Sequence, residues 1–85
     1  MQVELTPEAK AQILYWQKTG NKAILKKIET LTNSILENPY AGIGKPEALK
    51  HHLFPKWSRR ITDEHRYIYQ IENDILYVFS LKGHY

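Results

Sequence analysis

At Pro39 the apolar residues of this chain change period, and that change limits its fold more than any other feature. Upstream, in "KAILKKIETLTNSILEN", Ile24, Ile28, Leu31 and Ile35 are spaced four, three and four, the stripe of a helix packed along one side. Before it, "TPEA" reads as a helix start, with Thr6 as N-cap, Pro7 where its missing N–H costs nothing and Glu8 at the positive end of the dipole. That helix is expected to run to about Thr19, with Ala9, Ile13 and Trp16 on one face, and to break at "GN"; Asn38 and Pro39 end the second. The stretch "PYAGIGKPE" gathers Pro39, Gly42, Gly44 and Pro46 into a loop, after which the pattern alternates. A short strand at Gln2–Leu5 precedes the helices. Further strands are predicted near Leu49–Leu53, Trp57–Thr62, His65–Glu72 and Ile75–Lys82, joined tightly at "TDE" and "END". The expected fold is α+β: a helical hairpin on one face of a small, twisted, antiparallel-dominated sheet, with the other face left for partners.

The 85 residues make one domain, 1–85, too small to enclose a large substrate pocket, so any active site is expected to be a shallow surface. No cysteine is present, which excludes disulfides and thiolate metal sites. "MQVELTPEAK" shows no basic segment followed by an apolar run, and no stretch is apolar for long enough to span a bilayer; a cytoplasmic protein without membrane contact is expected. The four histidines have no chelating pattern, since His51 and His52 are adjacent and "EH" at Glu64–His65 lacks a second histidine four residues on; neither a metal nor another cofactor is expected.

Net charge is +3, and half of the twelve Lys and Arg residues lie between Lys45 and Arg66. Phe54, Trp57 and Tyr67 among these cations give the mixture that single-stranded RNA binding uses, although a solvated strand face has the same composition. Within "WSRRITDEHRYIY", Arg60 and Arg66 fall on adjacent strands and can share a face. Two guanidiniums so placed favour a phosphate between them; the competing reading pairs Arg59 or Arg60 with Asp63, Glu64 or Glu72. His84 follows Lys82 by two, so an extended chain points both the same way, and Glu47 sits beside Lys45 and Lys50 as an acid available to take a proton. Glu, Arg and His together supply a base for a 2′-hydroxyl, a cation for a charged phosphorane and an acid for the departing 5′-oxygen.

The segments "YWQ" at Tyr15–Gln17, "GIGKPEALK" at Gly42–Lys50, "WSRRITDEHRYIY" at Trp57–Tyr69 and the closing "HY" resemble the YoeB family, toxins of bacterial type II toxin-antitoxin modules within the RelE superfamily. The resemblance runs over essentially the whole chain, in order. It implies a RelE-like fold and a ribosome-dependent mRNA endonuclease that inhibits translation by cutting the message in the decoding site without a metal. By the same resemblance Glu47 matches the family's general base, Arg66 its phosphate-stabilising arginine, His84 its general acid and Tyr85 its terminal tyrosine. Arg60 matches a further basic position near the phosphate, and Arg59, Lys50 and Lys82 complete the RNA-binding or positioning set. Lys82 stands where relatives often have arginine, keeping the charge without the fork, and Ala48 replaces a common proline. The implied partners are a YefM-type antitoxin, the ribosome with its message, a second copy of the chain, and operator DNA reached through the antitoxin, since no helix-turn-helix pattern is present. The alternative is a non-catalytic RNA- or protein-binding module of the same fold.

Overall fold

Thr6 opens the first helix as predicted: its hydroxyl accepts the Ala9 N–H at 3.1 Å, with Pro7 beginning the helical turn. The structure, a computed structural model that describes residues 1–84, runs β1 (Gln2–Leu5), α1 (Pro7–Lys18), α2 (Lys22–Glu37), β2 (Glu47–Ala48), a 3₁₀ turn (His51–Leu53), β3 (Trp57–Arg60), β4 (Arg66–Glu72) and β5 (Ile75–Ser80). Asn21 caps α2 by accepting the Ile24 N–H at 3.1 Å. Among the described residues no helix is long and apolar enough to cross a membrane.

The five strands form one sheet in the order β1-β5-β4-β3-β2, antiparallel except for the outer β1–β5 pair, which is parallel with Val3 opposite Leu76. Asn73 and Asp74 both take positive φ, the conformation of a two-residue turn matched to the sheet's twist, and so close the β4–β5 hairpin predicted at "END". The stripe Ile24, Ile28, Leu31 and Ile35 is buried, with Ala9 and Trp16 of α1, against Tyr67, Tyr69, Leu76 and Val78 of the sheet. Fully burying one such aliphatic side chain contributes about 1.5–3 kcal/mol. Strand alternation then assigns the faces. Trp57, Arg59, Tyr67 and Tyr69 point toward the helices; Glu47, Ser58, Arg60, Arg66 and Ile68 share the open face.

The predicted strand Leu49–Leu53 is not one. β2 stops at Ala48, Leu49 turns inward and is buried, and His51 takes φ of 57°, which ends any extended run. The Leu53 and Phe54 N–H groups then bond back to Lys50 and His51 carbonyls as a 3₁₀ turn. β1 spans Gln2–Leu5 as predicted, whereas β3, β4 and β5 are shorter than predicted. β3 ends at Arg60 because residues 61–65 form a turn in which the Thr62 hydroxyl accepts the N–H groups of Glu64 (3.2 Å) and His65 (3.1 Å). β5 ends at Ser80.

Candidate active site

Arg60 and Arg66 are register partners across the β3–β4 hairpin, the juxtaposition expected from the sequence. The turn between them answers their charge. Arg60 Nη1 lies 3.8 Å from Asp63 Oδ1, an exposed ion pair of the kind worth about 0–1 kcal/mol. Arg66 Nη1 donates to three main-chain oxygens, those of Thr62 (2.7 Å), Asp63 (3.1 Å) and His65 (3.2 Å). The guanidinium therefore rests among the negative ends of carbonyl dipoles at the rim of the sheet.

His84 reaches the same place from the other side. Beyond β5 the Leu81 N–H donates to Gln12 Oε1 and the Trp16 indole N–H donates to the Leu81 carbonyl at 3.0 Å, so α1 fixes where the tail leaves the sheet. Gly83 takes φ of 77°, the Arg66 N–H donates to its carbonyl at 3.0 Å, and its own N–H donates to His65 Nδ1 at 2.8 Å. His84 Nε2 then sits 3.1 Å from the Asp63 carbonyl oxygen, the oxygen that Arg66 also holds. A carbonyl only accepts, so in this contact Nε2 carries the proton. The strand predicted to extend to Lys82 ends at Ser80. The turn at Gly83 separates Lys82 from His84, and Lys82 Nζ lies over the Tyr15 ring, 4.8 Å from its centroid. Tyr85 lies outside the described residues.

Glu47 occupies β2 opposite Ser58 and shares the open face with Arg60 and Arg66. Two strand spacings and one two-residue step along the strand put its Cα about 12 Å from that of Arg66, a span two long side chains can narrow to the width of a phosphodiester. Residues 47–53 border an open hollow of about 600 Å³, which places Lys50 beside Glu47.

Arg59 does not belong to this surface. It is 0% exposed on the helix-covered face, where its guanidinium donates to Ser34 Oγ (2.7 Å), to the carbonyls of Asn38 (2.7 Å), Ala41 (3.0 Å) and Ile43 (3.0 Å), and through Nε to the Tyr69 hydroxyl (3.2 Å). Adjacent strand residues point to opposite faces, so Arg59 and Arg60 cannot both meet RNA. All five acceptors are neutral; Arg59 organises the loop before β2 rather than binding an anion. Beside it, burial pushes the Tyr67 hydroxyl up to about 12, against the lowering effect of its 2.7 Å hydrogen bond with Thr32. Burial also raises Tyr69, against the lowering effect of Arg59.

Sequence reasoning missed Gln12, Trp16 and His65 as the residues that hold the tail. The signal for Trp16 was present, since a buried indole N–H needs an acceptor; nothing local announced that the acceptor is Leu81.

Over residues 5–85 the chain matches the family described as YoeB-like toxin of bacterial type II toxin-antitoxin system. Toxin YoeB of Escherichia coli K12 is 49% identical over 72 residues, 85% of this chain and 84% of that one. A solved YoeB/ParE toxin from Agrobacterium tumefaciens superposes with a TM-score of 0.93 at 36% identity, covering 100% of both chains. YoeB from Staphylococcus aureus, solved as a heterotetramer with YefM and as a dimer, gives TM-scores of 0.90 and 0.91, each at 38% identity over 100% of this chain and 98% of that one.

Proposed function

Because this chain belongs to the YoeB-like toxins of bacterial type II toxin-antitoxin systems, we propose that it is an endoribonuclease that cuts message in the ribosomal decoding site, restrained by a YefM-type antitoxin. One observation carries the chemical reading: the Arg66 guanidinium and a proton-bearing nitrogen of His84 converge on a single oxygen, the Asp63 carbonyl. A phosphate oxygen replacing that carbonyl meets a cation and an acid together. Glu47, across the same face, takes the proton of the 2′-hydroxyl; the 2′-oxygen attacks phosphorus; Arg66 stabilises the charge of the phosphorane. His84 then donates its proton to the departing 5′-oxygen, leaving a 2′,3′-cyclic phosphate and a 5′-hydroxyl. Arg60, Lys50 and Lys82 attract and place the strand, and Tyr85 is assigned to stacking on it.

The S. aureus complexes support a YefM-type partner and a homodimer for this chain as well. An acidic segment folding over the open face would mask Arg60 and Arg66, and operator DNA would be reached through the antitoxin.

The test is single-turnover cleavage of ribosome-bound message. Arg66→Ala is expected to lose roughly 10²- to 10³-fold in rate and His84→Ala roughly 10²- to 10⁴-fold, with ribosome binding little changed. A substrate whose 5′-oxygen is replaced by sulfur should rescue His84→Ala and not Arg66→Ala, because a thiolate leaves without a proton. Equal impairment of His84→Ala on both substrates removes it from the role of acid. Ribosome binding without cleavage by the parental chain leaves only a binding module.

A further inference from the structure

His65 belongs to the β3–β4 turn and has no place in the reaction just described, yet its ring makes the contact that sets the position of His84. The Gly83 main-chain N–H can only donate, so its 2.8 Å contact with His65 Nδ1 requires a lone pair on that nitrogen. In this structure His65 is therefore neutral at Nδ1, with its proton on Nε2. The ring is held by Trp16, edge to face at 4.9 Å between centroids, and Trp16 is itself tied to the Leu81 carbonyl. Gly83 takes φ of 77°, and among the described residues nothing lies within 4 Å of where a Cβ would stand. A pair of hydrogen bonds holds it, from its N–H to His65 and from the Arg66 N–H to its carbonyl.

We infer that His65 is a positioning residue whose neutral Nδ1 clamps Gly83 and so delivers His84, and that protonating Nδ1 opens the clamp. The catalytic half of this statement rests on the function proposed above. A proton added at Nδ1 turns the acceptor into a donor facing another donor, and the Gly83 contact cannot survive it. Histidine is the side chain that changes charge within about pH 5 to 8. Among the described residues, the titratable and charged groups adjoining His65, Gly83 and Trp16 along the chain are Asp63 and Glu64 in the preceding turn, Arg66 on β4, Lys82 and His84 on the held segment, and, from α1, Tyr15 next to Trp16 with the Lys82 ammonium over its ring. The two histidines have opposite requirements. His84 must carry a proton to act as an acid, whereas His65 must lack one at Nδ1 to hold His84 in place.

The clamp is read without reference to cleavage by following the Gly83 amide of the ¹⁵N-labelled full-length chain by NMR, as exchange protection, across about pH 5 to 8. Parental protection is expected to fall roughly five- to tenfold as His65 takes up a proton, the size of one lost hydrogen bond. His65→Asn, whose Oδ1 takes the place of Nδ1 and does not titrate, should keep Gly83 protected at every pH, and His65→Ala should show the low value throughout. Imidazole ¹⁵N shifts should report a bare Nδ1 at the alkaline end. Gly83 protection that ignores pH in the parent, or a proton found on Nδ1 while Gly83 is protected, overturns the inference, and neither result depends on how His65→Ala folds. In single-turnover cleavage, His65→Asn should lose part of the acid limb of the parental pH profile and keep the alkaline limb. An acid limb unchanged in His65→Asn overturns the catalytic half. A parental chain that never cuts, with the Gly83 pattern intact, overturns the nuclease reading and leaves the clamp standing.

Discussion

Replacing Arg59 by methionine should destabilise the fold by about 3 kcal/mol without touching the open face. Methionine keeps most of the buried stem and removes every donor. Of the five groups left behind, the Ser34 and Tyr69 hydroxyls can turn to other partners, and Tyr69 already donates to the Pro39 carbonyl. The carbonyls of Asn38, Ala41 and Ile43 cannot turn, because loop 38–44 is shaped around the guanidinium. An acceptor left unsatisfied costs about 1–3 kcal/mol, and these residues lie near solvent, so the lower figure applies to each. Relief from burying a cation works in the opposite direction, but five hydrogen bonds already offset much of that cost. Urea unfolding followed by tryptophan fluorescence measures the change. With a slope near 1 kcal/mol/M, typical of a small domain, the midpoint should fall by about 3 M at unchanged slope. Arg59→Lys, with a single compact ammonium, should fall between methionine and the parent. A methionine variant within about 1 kcal/mol of the parent would show that the three carbonyls find other partners at no cost and that the guanidinium does not hold the loop.

Other expectations concern the core, the loop and the partner. Tyr67 is held up to about 12 by burial, so the fold favours its neutral form; that contribution is complete below about pH 10, the ordinary tyrosine value, and is lost as pH rises from there through about 12, by up to about 3 kcal/mol. Tyr67→Phe should flatten alkaline unfolding over that window, and an unchanged alkaline slope would assign the loss elsewhere. In Gly44→Ala a Cβ would meet Leu31 Cδ2 at 2.6 Å and Arg59 Cβ at 3.2 Å at φ of 81°. Left-handed strain and overpacking together should then cost at least about 2 kcal/mol in the same urea assay. Gly20→Ala, at φ of 70° with nothing among the described residues within 4 Å of the new Cβ, should show the backbone cost alone. Arg60→Ala should weaken binding of a YefM-type antitoxin by up to about fivefold and reduce its salt dependence, measured by calorimetry at two ionic strengths. An unchanged salt dependence would place the antitoxin's charges elsewhere.

The helices were legible because their signals are local: Thr6 caps as its residue type demands, and the 4-3-4 spacing on α2 survives as four buried side chains, while Asn21, expected only as part of a break, caps α2. The Arg60–Arg66 pairing was equally legible, since a short turn between two alternating runs sets the register. Charge counting failed at Arg59. It treats neighbours as one patch, whereas strand parity puts Arg59 on the face of Tyr67, its register partner, and Arg60 on the other. The segment 49–53 failed because its apolar residues suit a strand as well as a turn, and the deciding feature, the positive φ of His51, has no sequence signature. The delivery of His84 depends on Gln12, Trp16 and His65, residues 18 to 69 positions away from those they hold, and no local pattern encodes such contacts.

The parallel pairing of β1 with β5 bears on the order in which the molecule assembles. β3, β4 and β5 join through short turns and can zip up locally, and α1 and α2 can form and pack as a hairpin. β1 must wait. Its register partner for Gln2 is Ile75, and a loop of that length has to close before any of its hydrogen bonds reward the loss of chain freedom. The hairpin carrying Arg60 and Arg66 therefore belongs to the early part of folding, while the first strand of the chain is the last to dock.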